Sequence, residues 1–269
     1  AEVIERHDRA RFHVTAFSWG PDTGDAMRKR LAAAFDDFVD VRGRTERDIA
    51  SVAREKGIDV AIDLKGYALD ERTGIFARRA APVQVSWLGY PATTGAKHMD
   101  YFVADAVAMT PAIREAFDEQ VVVLPGSFQP HDTRRGAVGD VPSREALGLP
   151  ESGFVFCGFN APWKINPPQF DRWMRILAAV PGSVLWLLET GPAVARNLCR
   201  EATARGIDEA RLVFAPRVSQ QAHLARLAAA GLFLDTLPCN AHTGASDALW
   251  AGLPVLTCPG GTFAGRVAA

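Results

Sequence analysis

From residue 154 to residue 257 the chain repeats one unit: a short apolar run, a turn, then a stretch of helical character. The runs fall at 154–159, 183–188, 212–214, 232–234 and 254–257, and the second of them, SVLWLL, is almost wholly apolar. A strand with apolar residues on both of its faces must be covered on both sides, which is the condition of a parallel sheet flanked by helices. The helical stretches between them carry ordinary start signals. Asn166 is a natural N-cap followed by Pro167 at the first helical position, for a helix to about 179; Ser219 caps another to about 230. Helices are also expected at 192–206 and 243–251. Five such units in succession predict an α/β fold.

The first half repeats the theme less cleanly. Strands are expected at 11–18, 38–41, 59–64, 83–87, 101–104 and 120–124, the third with the look of a buried parallel strand. Helices are expected at 25–38, at 45–56 (capped by Thr45 and closed by Gly57), at 74–80 and at 111–117. Between about 125 and 150 the pattern lapses into polar turn formers. The expected organisation is therefore a Rossmann-like half at 1–130, a linker at 131–150 and a second Rossmann-like half at 151–269. Residues 1–8 read as the tail of a helix and 262–269 as a helix just begun, so both ends are expected to lie inside a larger protein.

Composition excludes several classes of function. Of 269 residues 23% are charged, yet the formal net charge is −1, so no global basic field points to nucleic acid. No apolar run approaches the roughly 20 residues that span a membrane. The four cysteines form no C-x-x-C pair, and no His/Cys/carboxylate cluster has metal spacing. A reducing, cytoplasmic location and no metal are expected. There is no G-x-G-x-x-G opening either half, no P-loop, no D-x-D pair and no G-x-S-x-G elbow.

In open α/β sheets ligands bind beyond the carboxyl ends of the strands. That rule selects four places: 160–164, ending in Lys164, after the first strand of the second half, 216–219 after the third, 239–243 after the fourth and 259–262 after the fifth. Lys164 is the only lysine after Lys97, and is either a solvated loop residue or a compact cation for a pyrophosphate. Thr243 is either an N-cap or, with the small residues Gly244 and Ala245, part of an open helix start that holds phosphate; Asp247 either offsets the helix dipole or reaches a ribose hydroxyl. His242 stands where a donor to sugar or phosphate would be useful. Gln220, His223 and Arg226 share one helix face, either wet or lining the nucleoside half of a cleft. Two α/β halves, a phosphate-type helix start and no metal motif point to a GT-B glycosyltransferase, with two Rossmann-like domains facing each other across a cleft.

Four blocks carry a more specific signal: PVQVSWLGYPATTGAKHMDYFVADA at 82–106, FNAPWKINP at 159–167, PGSVLWLLE at 181–189 and LFLDTLPCNAHTGASDALWAGLPVLTCPGGTFAGRVAA at 232–269. Together they resemble the catalytic region of the O-GlcNAc transferases, and the resemblance extends over essentially the whole chain. It implies an inverting, metal-independent transfer of N-acetylglucosamine from UDP-GlcNAc to serine or threonine of protein or peptide acceptors, with no cofactor. It implies that Lys164 and His242 are catalytic, with Lys164, Thr243 and Gly244 at the diphosphate. Val218, Gln220, His223, Arg226 and Asp247 fall at the uridine and ribose, and Leu88, Gly89, Pro91, Cys239 and His242 at the sugar. It also implies a tetratricopeptide region and a histidine near the reaction centre before Ala1, further segments after Ala269, and little activity in these 269 residues alone. Three positions depart from the family pattern: Gly244 replaces a threonine and Ala161 a glutamine, each losing a side-chain donor, and Gln220 replaces a lysine, losing its charge. The alternatives are a SPINDLY-type O-fucosyltransferase using GDP-fucose, a bacterial asparagine-glucosylating enzyme, and a non-catalytic nucleotide-sugar-binding or scaffold module.

Overall fold

The computed structural model describes residues 1–136 and 138–269. The chain divides into two compact units, Ala1–Arg135 and Gly136–Ala269.

The first unit opens with α1 (Glu2–Glu5), β1 (Thr15–Ser18), α2 (Ala26–Ala34), β2 (Asp37–Asp40) and α3 (Glu46–Glu55). It continues with β3 (Val60–Asp63), α4 (Gly74–Ala77), β4 (Val83–Ser86), β5 (Tyr101–Asp105), α5 (Pro111–Arg114) and β6 (Gln120–Leu124). Its strands form two parallel sheets, a β1–β2 pair and a four-stranded sheet in the order β3-β4-β5-β6. The strand expected from residue 11 begins only at Thr15, because Arg11 and Phe12 turn back to bond the carbonyl of Asp8. The expectation that β3 is buried fails for a topological reason. It is an edge strand, and Val60 and Ile62 are about half exposed. Thr45 forms a full capping box with Asp48 at the start of α3, which lays Ile49, Ala50 and Ala53 into a core with Val41, Phe76 and Met99.

The second unit holds β7 (Val155–Gly158), α6 (Pro167–Ala179), β8 (Val184–Leu188), α7 (Pro192–Thr203) and β9 (Leu212–Ala215). It closes with α8 (Gln220–Leu227), β10 (Leu232–Leu234), α9 (His242–Trp250) and β11 (Val255–Leu256). All five strands are parallel, in the order β11-β10-β7-β8-β9. The chain therefore winds outward from β7 in one direction, then returns to its other side through β10. One face of the sheet meets Phe170, Trp173, Met174 and Leu177 of α6, and Trp186 is fully buried. The last residues form a 3₁₀ turn, Phe263–Gly265, in place of the expected α-helix.

The stretch 131–150 is shared between the units. Asp132 pairs with Arg30 and Thr133 bonds Glu2 in the first, whereas Leu149 is buried with Val155 and Trp186 in the second. Ala137, within that stretch, lies outside the described residues.

Candidate functional site: a cleft at the β7–β10 switch point

Where neighbouring strands lead their connections to opposite sides of a sheet, the loops at their carboxyl ends part and leave a crevice. In the second unit this happens between β7 and β10, and a cleft of about 500 Å³ opens there. Its walls come from the loop after β7 (Phe159, Asn160, Ala161, Lys164), the loop after β9 with α8 (Arg217, Val218, His223, Arg226), and the start of α9 (Ala241, His242, Thr243, Gly244, Asp247).

The loop after β10 is shaped by a buried carboxylate. Asp235 accepts from the backbone N–H groups of Thr236 and Ala241, both at 2.7 Å, and from the Thr257 hydroxyl at 2.6 Å. Asn240, fully buried, donates to the Thr236 carbonyl at 2.9 Å. These bonds bring the chain to Ala241 at a fixed point, where α9 begins without a side-chain cap. The helix thus starts at His242, and Thr243 is its second residue, which settles the choice against an N-cap role. No hydrogen bond from the backbone N–H of Thr243 or Gly244 is found among the described residues. By contrast α2, α3, α5, α6 and α8 are each closed by a side chain: Asp25, Thr45, Thr110, Asn166 and Ser219. An open helix start presents unpaired donors and the positive end of the helix dipole.

Two histidines face this start in defined tautomers. The Nε2 of His242 lies 3.1 Å from the carbonyl of Ala264. A carbonyl only accepts, so Nε2 carries the proton and Nδ1 is left as an acceptor. Neutral His242 therefore offers the opposite of the donor expected from sequence. Burial lowers its pKa and the Lys164 charge adds to that, against the opposing effect of the Ala264 bond, which keeps the ring neutral near pH 7. His223 is the mirror case. Arg226 donates to its Nδ1 through Nε at 3.1 Å and Nη2 at 2.9 Å, which leaves Nε2–H as a donor. Burial and then the Arg226 charge lower the His223 pKa, while Asp247 pulls the other way.

Arg226 itself is 4% exposed. Its guanidinium donates to the Pro216 carbonyl at 2.6 Å and lies 4.5 Å from the centroid of Phe159. It holds His223 and the loop after β9 in place more than it offers itself to a ligand. Lys164 ends a 3₁₀ turn, Pro162–Lys164, and its ammonium donates to the carbonyl of Asn240 on the opposite wall.

The structure therefore brings together Lys164, Val218, His223, Arg226, His242, Thr243, Gly244 and Asp247 around one cleft. Gln220 is exposed and outside its lining. Cys239 is half-buried in the loop behind α9, its carbonyl accepting from the Thr236 hydroxyl, and also lies outside the lining. Leu88, Gly89 and Pro91 belong to the first unit, on the loop after β4, where a Cβ at Gly89 would stand 2.0 Å from the Leu64 carbonyl. Of the cysteines only Cys157 is fully buried, its thiol pushed up by burial; Cys258 is exposed. Two lining residues lie in the loops that the strand-end rule selects but carry no role in the sequence reading: Asn160, and Arg217, an exposed cation at the cleft's rim.

The profile of glycosyl transferase family 41 matches residues 1–137 and 135–269, the whole chain. The chain belongs to that family. Among relatives of the family 41 chain, a probable UDP-N-acetylglucosamine–peptide N-acetylglucosaminyltransferase SEC of Arabidopsis thaliana is 33% identical over 99% of this chain and 28% of its own. A probable enzyme of the same named activity, SPINDLY of Arabidopsis thaliana, is 31% identical over 98% of this chain and 29% of its own. Among solved structures, a mutant O-GlcNAc transferase of Thermobaculum terrenum superposes with a TM-score of 0.91 at 35% identity, over 98% of this chain and 50% of that one. The GT-B class expected from sequence stands on that likeness and on the parallel α/β sheets of both units. The family 41 chain spans about a third to a half of the length of these relatives. Among its described residues no helix is long and apolar enough to cross a membrane, and no group of three or more His, Cys, Asp or Glu is placed to hold a metal ion.

Proposed function

We propose that this chain is the catalytic region of a glycosyltransferase that moves N-acetylglucosamine from UDP-GlcNAc to serine or threonine of proteins. The observation that carries the reading is the convergence of one ammonium, one open helix start, one acceptor and one donor imidazole and one carboxylate on a single cleft. Each matches a part of a uridine-diphosphate sugar. The diphosphate sits on the N–H groups of Thr243 and Gly244 with the Thr243 hydroxyl, as anions do at helix starts. Asp247 accepts from the ribose, and His223 Nε2–H with the backbone around Val218 meets the nucleoside. His242 Nδ1 accepts from an N–H or O–H of the sugar.

In the reaction the acceptor hydroxyl attacks the anomeric carbon on the face opposite the departing UDP. A new C–O bond forms as the bond from the anomeric carbon to the diphosphate oxygen breaks, configuration inverts, and the hydroxyl proton is released along with UDP. Negative charge grows on the leaving diphosphate, where Lys164 and the α9 start stabilise it, the part a divalent ion plays elsewhere. To reach the phosphate, Lys164 exchanges its bond to Asn240 for one to the ligand. Leu88, Gly89, Pro91 and Cys239 are assigned to the sugar on family resemblance alone, and a cytoplasmic setting is part of the same reading.

Calorimetry on the full-length protein tests this. UDP should bind, and Lys164→Ala should weaken it on the order of 100-fold, since a charge-assisted bond is lost. Preference for GDP over UDP would support the fucosyl alternative. Failure to bind either nucleotide would leave the scaffold reading.

A further inference from the structure

Four carboxamides are at least nine-tenths buried among the described residues: Gln84, Asn160, Gln169 and Asn240. Three are engaged. Gln84 bonds Ala80, Phe76 and His98; Gln169 donates to Asp235; Asn240 donates to Thr236. Asn160 is the exception. It is 6% exposed, and its Nδ2 has no hydrogen-bond partner among the described residues. Burying such a group without a bond disfavours the fold, so the position calls for a partner from outside the chain.

Its place says what that partner is. The Asn160 N–H bonds the Gly158 carbonyl at 2.8 Å, which turns the chain at the end of β7 and sets Asn160 on the cleft wall. The groups with unspent capacity around that cleft include donors: the N–H groups of Thr243 and Gly244, and the ammonium of Lys164, which bonds a carbonyl and lies over the Trp163 ring; His242 Nδ1 is the acceptor beside them. Backbone N–H donors at a helix start together with an ammonium fit a multiply charged oxyanion. Ala161, the next residue, has no polar side-chain atom to offer. A carboxamide turns end for end about its last torsion without changing shape, so its NH₂ reaches the cleft at little steric cost.

We propose that Asn160 is a donor-binding residue whose NH₂ hydrogen-bonds a diphosphate oxygen of the nucleotide sugar. This rests on the nucleotide-sugar reading of the same cleft. The bond strengthens as charge accumulates on the leaving diphosphate, so it acts on kcat as well as on binding.

The test is calorimetry on the full-length protein with UDP and with uridine, which lacks the diphosphate, for the unaltered protein, Asn160→Ala and Asn160→Asp, with thermal melts of each. Asn160→Ala should lose about tenfold in UDP affinity, the size of one hydrogen bond to a charged group. Asn160→Asp, of equal size but bearing a repelling carboxylate, should lose more, and uridine affinity should stay within about twofold for both. No UDP binding by the unaltered protein overturns the nucleotide-sugar reading itself. UDP binding that neither variant changes, or equal losses for UDP and uridine, overturns the assignment of Asn160 alone. If Asn160→Ala fails to fold, the isosteric Asn160→Asp decides by the same comparison.

Discussion

Gly244 occupies the third position of α9, yet nothing in the packing requires a glycine there. Its φ is not positive, and a Cβ would meet only the Ala241 Cβ at 3.7 Å and the Phe233 ring at 3.9 Å, ordinary contacts. Gly244→Ala should therefore stabilise the protein by about 0.5–1 kcal/mol in denaturant titrations, the usual gain for replacing a helical glycine. Gly244→Thr would add a hydroxyl at the open helix start, and should tighten UDP by roughly tenfold as one charge-assisted bond is gained. Unchanged affinity in Gly244→Thr would mean that the phosphate lies elsewhere. At this scale the sequence was partly legible. Lys164, His242 and Asp247 stand out by type and by place after a strand. Asn160 shares the place, in the loop 160–164, but not the type, because an asparagine short of a partner looks like any other until its surroundings are known. The donor or acceptor sense of His242 was equally hidden, being set by a carbonyl 22 residues further on.

Carboxylates at or next to the ends of strands decide how several loops of this chain are held. Asp63 accepts from Lys65 and Gly66 after β3, Asp105 from Val107, Ala108 and Phe128 after β5, and Asp235 from Thr236 and Ala241 after β10. Glu119, just before β6, gathers the loop 88–95 by accepting from Thr93 Oγ1 at 2.6 Å, Thr94 N–H at 2.8 Å and Thr94 Oγ1 at 2.6 Å. Burial alone would raise its pKa, but these three bonds together hold it below the ordinary 4.5. A carboxyl whose folded pKa is depressed stabilises the fold above its unfolded pKa, and the contribution disappears as pH falls through the folded value. Glu119→Gln should thus lower stability by about 2 kcal/mol at pH 7, with the gap to the unaltered protein closing below pH 4.5. A gap that persists at pH 3 would show that packing, not the charge, is what Glu119 supplies. Elements whose signals are local, such as α3 behind the Thr45 box and α6 behind Asn166, could be read directly. The exposure of β3 could not, since being an edge strand is a property of sheet order and not of residues 60–63.

Each unit has its own core, and the lining of the cleft comes from the second unit alone. Calorimetric melting should accordingly show two transitions, with UDP moving the one that belongs to Gly136–Ala269. At a concentration 100 times its Kd the ligand adds about 2.7 kcal/mol to that unit. A single transition that UDP shifts as a whole would show that the units melt as one. The α/β architecture was legible over both units because it rests on repeated apolar runs, whereas the division of the first unit's strands into two sheets rests on pairing between distant segments. That dependence on distance reaches the cleft itself. The bond between Lys164 and Asn240 joins residues 76 positions apart, and it exists only once β10 has paired beside β7. Closing so long a loop comes late, after local helices and neighbouring strands have formed. On the proposed function, a growing or refolding chain should be blind to nucleotide until its sheet is essentially built, so that binding competence marks the end of folding and no half-formed state is there for the ligand to capture.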